Sequence, residues 1–133
     1  MVYNCIIKKS GSLYWVLFPD MTNIQTFGNT REEALAMAKE ALDGCLESDI
    51  CHNNSIPAPV FKKGIPVTVS NNIVFALRLR QLRGKQSQTD IAGKLGMSYQ
   101  AYQRLENPRK TNPTIKTLEK IAQVYGRELS IVF

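Results

Sequence analysis

No run of apolar residues in this sequence approaches the ~18 that would cross a membrane. The opening "MVYNCIIKKS" has too short an apolar stretch for a signal peptide, and its charges follow that stretch. A cytoplasmic protein without membrane attachment is expected. Histidine is scarce, with His52 alone. The three cysteines, Cys5, Cys45 and Cys51, form no CxxC and no zinc spacing, even with His52 beside Cys51. No metal or other cofactor is expected, and the thiols read as buried or helix-face side chains in a reducing compartment. One histidine among asparagines provides no Ser/His/Asp set. Two-metal hydrolysis needs converging carboxylates, and the first apolar stretch, "VYNCIIK", has none. An enzyme is not expected.

Acidic residues are also scarce, but only in one half. Residues 1–70 hold six Lys/Arg against seven Asp/Glu, a net of −1, whereas residues 71–133 hold eleven against four, a net of +7. A near-neutral half joined to a strongly basic one suggests that the second half meets a polyanion. The basic half offers no aromatic stacking platform of the kind single-stranded RNA would need. RNA is therefore the less favoured nucleic-acid partner, and solvated Lys and Arg that merely keep the protein soluble remain the alternative to any polyanion.

A chain of 133 residues makes one domain or two small ones. Residues 2–8 form a β-rich run ending in "KKSGS", and residues 13–18 a second strand in a hairpin with the first. A short third strand is expected at residues 24–27. Thr30 stands three residues before Glu33, a capping box. It opens a helix in which Leu35, Ala38, Leu42, Cys45 and Leu46 make one apolar stripe, with Glu32, Lys39, Glu40, Asp43 and Glu47 on a solvated face. A Pro- and Gly-punctuated connection leads to a fourth strand, "IPVTV". Periodicity changes at Ser70-Asn71-Asn72, so the domains are expected at 1–69 and 70–133. Helices follow at residues 73–83, 88–95, 98–106 and 114–125, and "ELSIVF" reads as a terminal strand.

The stretch "SQTDIAGKLGMSYQAYQRLENP" carries the most chemistry. Ile91, Ala92 and Leu95 face inward on a first helix, and Gly96 can take the left-handed turn. Met97 plugs the turn, and Ser98 can cap the next helix. Ala101, Tyr102 and Leu105 are expected to point back to the core. Tyr99, Gln100, Gln103 and Arg104 then project outward as base-reading residues. Gln suits adenine N6 and N7, and Arg suits guanine O6 and N7. Gln88, Lys94, Ser98, Asn107, Arg109 and Lys110 are the expected phosphate contacts.

Gln88, Ala92, Gly96, Ser98 and Glu106-Asn107 together resemble the Xre/Cro-type helix-turn-helix pattern "Q-x-x-x-A-x-x-x-G-x-[ST]…E-N-G". Pro108 stands where that family has Gly. The first half is similar to the HicB family of antitoxins. Phe18-Pro19-Asp20, Gly28-Asn29-Thr30 with "EEALAMAKEAL", and Ile56-Pro57-Ala58-Pro59 follow its "FPD…GxTxEEAxxxAxEAL" and "IPxP" patterns. The resemblance implies an α+β protein with two domains. The first is a small partial RNase H-like strand-strand-strand-helix-strand domain that binds and masks a HicA-type ribonuclease toxin. The second is an all-helical Xre-type domain with a C-terminal strand that binds operator DNA and represses the operon. A homodimer, or a pair of such dimers, is expected. Leu129, Ser130, Ile131, Val132 and Phe133 would pair across its two-fold axis. The rival reading is a stand-alone Xre-type transcription regulator whose first domain binds a ligand or a different protein.

Overall fold

The structure, a computed structural model, describes residues 1–133. It divides into two compact units, Met1–Val74 and Phe75–Phe133, the division falling inside a helix.

The first unit is one antiparallel sheet with a helix on one face. Its strands are β1 (Val2–Ser10), β2 (Leu13–Leu17), β3 (Gln25–Gly28) and β4 (Ile65–Thr68), in the order β3-β2-β1-β4. A two-residue loop joins β1 to β2, with Ser10 opposite Leu13 and Ile6 opposite Leu17. The third strand begins one residue later than its sequence pattern suggests, because Ile24 turns into the core. In a strand, alternate side chains share a face. Tyr3, Cys5, Val16 and Val67 are buried on the face that α1 (Arg31–Cys51) covers.

Thr30 caps α1, its side chain accepting the Glu33 N–H at 3.1 Å. The buried stripe of α1 is Ala34, Ala38, Leu42, Leu46 and Ile50. This row of i, i+4 steps replaces the expected stripe in part: Leu35 and Cys45 flank it, half-buried. Small alanines at its start let the helix lie close to β3. A Cβ on Gly28 would stand 2.3 Å from the Ala34 backbone nitrogen.

Asp43 does not belong to a solvated face. Its carboxylate accepts the Ser70 N–H at 3.1 Å and the Ser70 hydroxyl at 2.6 Å, and pairs with Lys39 at 2.8 Å. Ser70 in turn accepts the N–H groups of Ile73 and Val74. The acid thus holds the start of α2 (Asn71–Arg83) against α1. Asp20 is likewise structural, accepting the Phe61 N–H at 2.9 Å.

The outer edge of β4 is blunted. Val69 donates to Met1, so by alternation Pro66 and Thr68 turn away from β1. Pro66 has no N–H to offer, and Lys39 Nζ occupies the Thr68 carbonyl at 2.6 Å. A proline and a lysine are common protections of an exposed edge.

The second unit is helical: the rest of α2, α3 (Gln88–Leu95), α4 (Tyr99–Glu106) and α5 (Ile115–Val124). Leu79, Ile91, Ala92, Leu95, Tyr102, Leu105 and Ile121 form its core. The expected terminal strand is absent: residues 128–133 carry no secondary structure. A strand needs a neighbour to satisfy its backbone, and a single copy of this helical unit provides no sheet edge.

Candidate nucleic-acid interface

Ser87 starts α3 by accepting the Asp90 N–H at 3.0 Å. Gly96 ends it at φ 67°, in the left-handed region that a side chain would strain. The Met97 N–H returns to the Ala92 carbonyl at 3.0 Å, closing the turn. Ser98 then opens α4, its Oγ accepting the Ala101 N–H at 3.1 Å. Two helices of eight residues are thereby joined by a turn with no slack. Met97 packs, half-buried, against the core.

Tyr99, Gln100, Gln103 and Arg104 are all exposed on α4. Ala101 is exposed with them, contrary to its expected inward place. The inward arc is Tyr102, Leu105 and Glu106, and Ala101 lies past its margin at 100° per residue. The only acid of α4 is therefore inside. The helix presents phenol, amides and guanidinium outward without a carboxylate to repel phosphate.

Glu106 is 7% exposed and is the hub of this unit. Arg83 grips it with two bonds, Nε to Oε2 at 2.7 Å and Nη2 to Oε1 at 3.1 Å. Arg83 Nη1 also donates to the Gln86 carbonyl at 2.8 Å. Gln88 Nε2 donates to Glu106 Oε1 at 3.3 Å. One carboxylate thus ties the end of α2 and the first residue of α3 to the end of α4, and Arg83 extends the link to the loop before α3. Hydrogen bonding to Glu106 raises the Arg83 pKa further, so the cation is permanent. Burial first, then the neighbouring Glu106 carboxylate, holds the Tyr102 phenol far above its ordinary pKa and keeps it protonated.

After α4, Asn107 takes an extended conformation (φ −94°, ψ 111°), as the residue before a proline prefers. Its carbonyl accepts the Lys110 N–H at 3.0 Å and its Oδ1 the Arg109 N–H at 3.0 Å. Pro108 sits buried at the second position of that turn, where a fixed φ suits it. Pro108, standing where the family pattern has glycine, is thus accommodated within this turn.

The expected phosphate contacts differ in availability. Lys94, Arg109 and Lys110 are exposed; the Lys94 ammonium lies 3.1 Å from Gln86 Oε1. Gln88 is half-buried with its amide on Glu106, leaving its backbone N–H at the start of α3. Ser98 uses its hydroxyl as a cap, and Asn107 its side-chain oxygen in the turn. Leu129 is half-buried, while Ser130, Ile131, Val132 and Phe133 are exposed.

Two features escaped the sequence reading. The Arg83–Glu106 pair has no periodic signal, since a buried charge looks like any charge until its partner is placed. The other is the sheet face opposite α1. Trp15 (39% exposed), Leu17 (40%) and Phe27 (45%) lie open there, with Trp15 and Phe27 rings 5.2 Å apart. The alternation of β2 carried that signal: Trp15 and Leu17 bracket the buried Val16.

An antiparallel α+β unit followed by a helix-turn-helix defines a two-part protein with a DNA-binding module. Known proteins extend this. Residues 78–132 match the helix-turn-helix family. Residues 5–79 match the family described as HicB-like antitoxin of bacterial toxin-antitoxin system. Antitoxin HicB 1 of Photorhabdus laumondii subsp. laumondii is 32% identical over 122 residues, covering 89% of this chain and 77% of its own length. Antitoxin HicB 2 of the same organism is 32% identical over 119 residues, covering 88% and 85%. The chain belongs to the HicB-like antitoxin family and carries a DNA-binding helix-turn-helix domain. No helix is long and apolar enough to cross a membrane.

Proposed function

We propose that this protein binds and masks a HicA-type ribonuclease toxin through its first unit, and represses its own operon through its second. The observation that carries the second half is the exposed, acid-free face of α4. Tyr99, Gln100, Gln103 and Arg104 read bases in the major groove, while Lys94, Arg109 and Lys110 meet phosphates beside it. The backbone N–H of Gln88 lies at a helix N-terminus, which favours an anion. Residues 129–133, apolar and largely uncovered, pair with those of a second copy. The homodimer then sets two α4 helices on successive grooves of a pseudo-palindromic operator.

The first half rests on family membership and on the open sheet face. Contiguous exposed apolar side chains mark interaction sites, and Trp15, Leu17 and Phe27 supply the largest such cluster of the first unit. The toxin covers this face. Asp20 has a structural role beside this face, one of its two carboxylate oxygens accepting the Phe61 N–H.

Gel shifts and growth assays test the two halves separately. Gln100→Ala or Arg104→Ala costs ~1–3 kcal/mol on the operator and relaxes base preference. Lys94→Ala weakens every duplex about equally and flattens the salt dependence. Equal behaviour of the three variants would contradict the assigned roles. Co-expression with a small basic ribonuclease from a neighbouring reading frame restores growth, and Trp15→Asp abolishes the rescue while the purified protein still melts cooperatively. Undiminished rescue by that variant removes the sheet face from the interface.

A further inference from the structure

Gln103 Nε2 donates to the Tyr99 hydroxyl at 2.7 Å, one helical turn away on the exposed face of α4. A glutamine amide has two N–H hydrogens and one carbonyl oxygen. Bidentate pairing with adenine uses the oxygen, which accepts from N6–H, and the hydrogen on the same side, which donates to N7. The second hydrogen points away from that edge and is free for a lateral neighbour. In the arrangement proposed below, the bond to Tyr99 takes this spare hydrogen and leaves the reading edge whole. It also orients an amide that solvent would otherwise let rotate, so less rotamer freedom is lost on binding. Because the phenol oxygen accepts here, its own proton is available to a further acceptor on the duplex.

We propose that Tyr99 is a positioning residue for Gln103, and that the pair sets the preference for an A·T base pair at one operator position. This rests on the reading above, in which α4 enters the major groove. Both side chains are exposed, so substitutions there leave the core untouched.

The full-length protein selects its site from a randomised duplex library. Affinities for the selected duplex and its single-base-pair variants are then measured for the parent protein, Tyr99→Phe, Gln103→Ala and Arg104→Ala. Gln103→Ala is expected to abolish the preference for adenine at one position. Tyr99→Phe keeps the ring and loses only the oxygen. It should lower that same preference by about three- to tenfold, the worth of one net hydrogen bond, and lower it more than the preference at any other position. A loss in Gln103→Ala with none in Tyr99→Phe overturns the proposal. So does a Gln103-dependent position occupied by G·C. If no sequence is selected, or if Gln103→Ala and Arg104→Ala both leave every base preference intact, the base-reading role of α4 fails and the proposal fails with it.

Discussion

Glu106→Ala should cost more than any surface substitution in the second unit. The carboxylate is 7% exposed and receives two bonds from Arg83 and one from Gln88. Removing one partner of a buried pair costs about 3–5 kcal/mol, because the other charge is left uncompensated. Here the Arg83 side chain is 18% exposed and keeps its bond to the Gln86 carbonyl, so water can reach part of it. A loss of about 2–3 kcal/mol follows. A unit of this size has only about 3–9 kcal/mol to lose, and each kcal/mol moves Tm by about 4–8 °C. Thermal unfolding followed by circular dichroism should show the helical unit melting about 10–20 °C lower. Arg83→Met paired with Glu106→Leu should recover much of that loss, since two apolar groups leave no unpaired charge. A shift of less than about 2 °C in Glu106→Ala would mean that the pair behaves as a surface ion pair, and the hub described above would be wrong.

Three further outcomes follow from other sites. Burial pushes the Asp43 pKa up, but the bonds from Lys39 and Ser70 outweigh it and leave the net value below the ordinary carboxylate range. A depressed folded pKa contributes stability that is full above the unfolded value of about 3.9 and fades as pH falls through the folded one. Asp43→Asn should therefore flatten the acid limb of a melting-temperature profile below about pH 4, and an unchanged limb would refute the assignment. Gly28→Ala should lower stability by about 1–3 kcal/mol in denaturant titration, because its Cβ would meet helix backbone rather than a movable side chain. Removing residues 128–133 should give a monomer by light scattering and weaken operator binding; a dimer that survives the truncation refutes tail pairing.

Much of this protein was legible without coordinates wherever a local rule governed the outcome. Thr30 and Ser98 cap the helices they precede, and Gly96 takes the left-handed turn. The inward set Ile91, Ala92 and Leu95 follows from a period of 3.6 alone. Local rules failed where the deciding partner lies far along the chain. Asp43 looks like one more acid on a wet helix until Ser70, 27 residues on, comes within 3.1 Å. Ala101 was misplaced because its apolar side chain says nothing about which side of an arc it falls on.

Sequence by itself determined the family, the order of the elements, the capping and turn chemistry and the outward set on α4, because these depend on residue type at short spacing. Tertiary structure alone decided that Glu106 is a buried hub, that Pro108 is buried in the turn after α4, and that the sheet keeps an uncovered aromatic face. Each of these depends on which groups meet across long stretches of chain, where the cost of burying a charge or an unpaired backbone group is set by the neighbour and not by the residue.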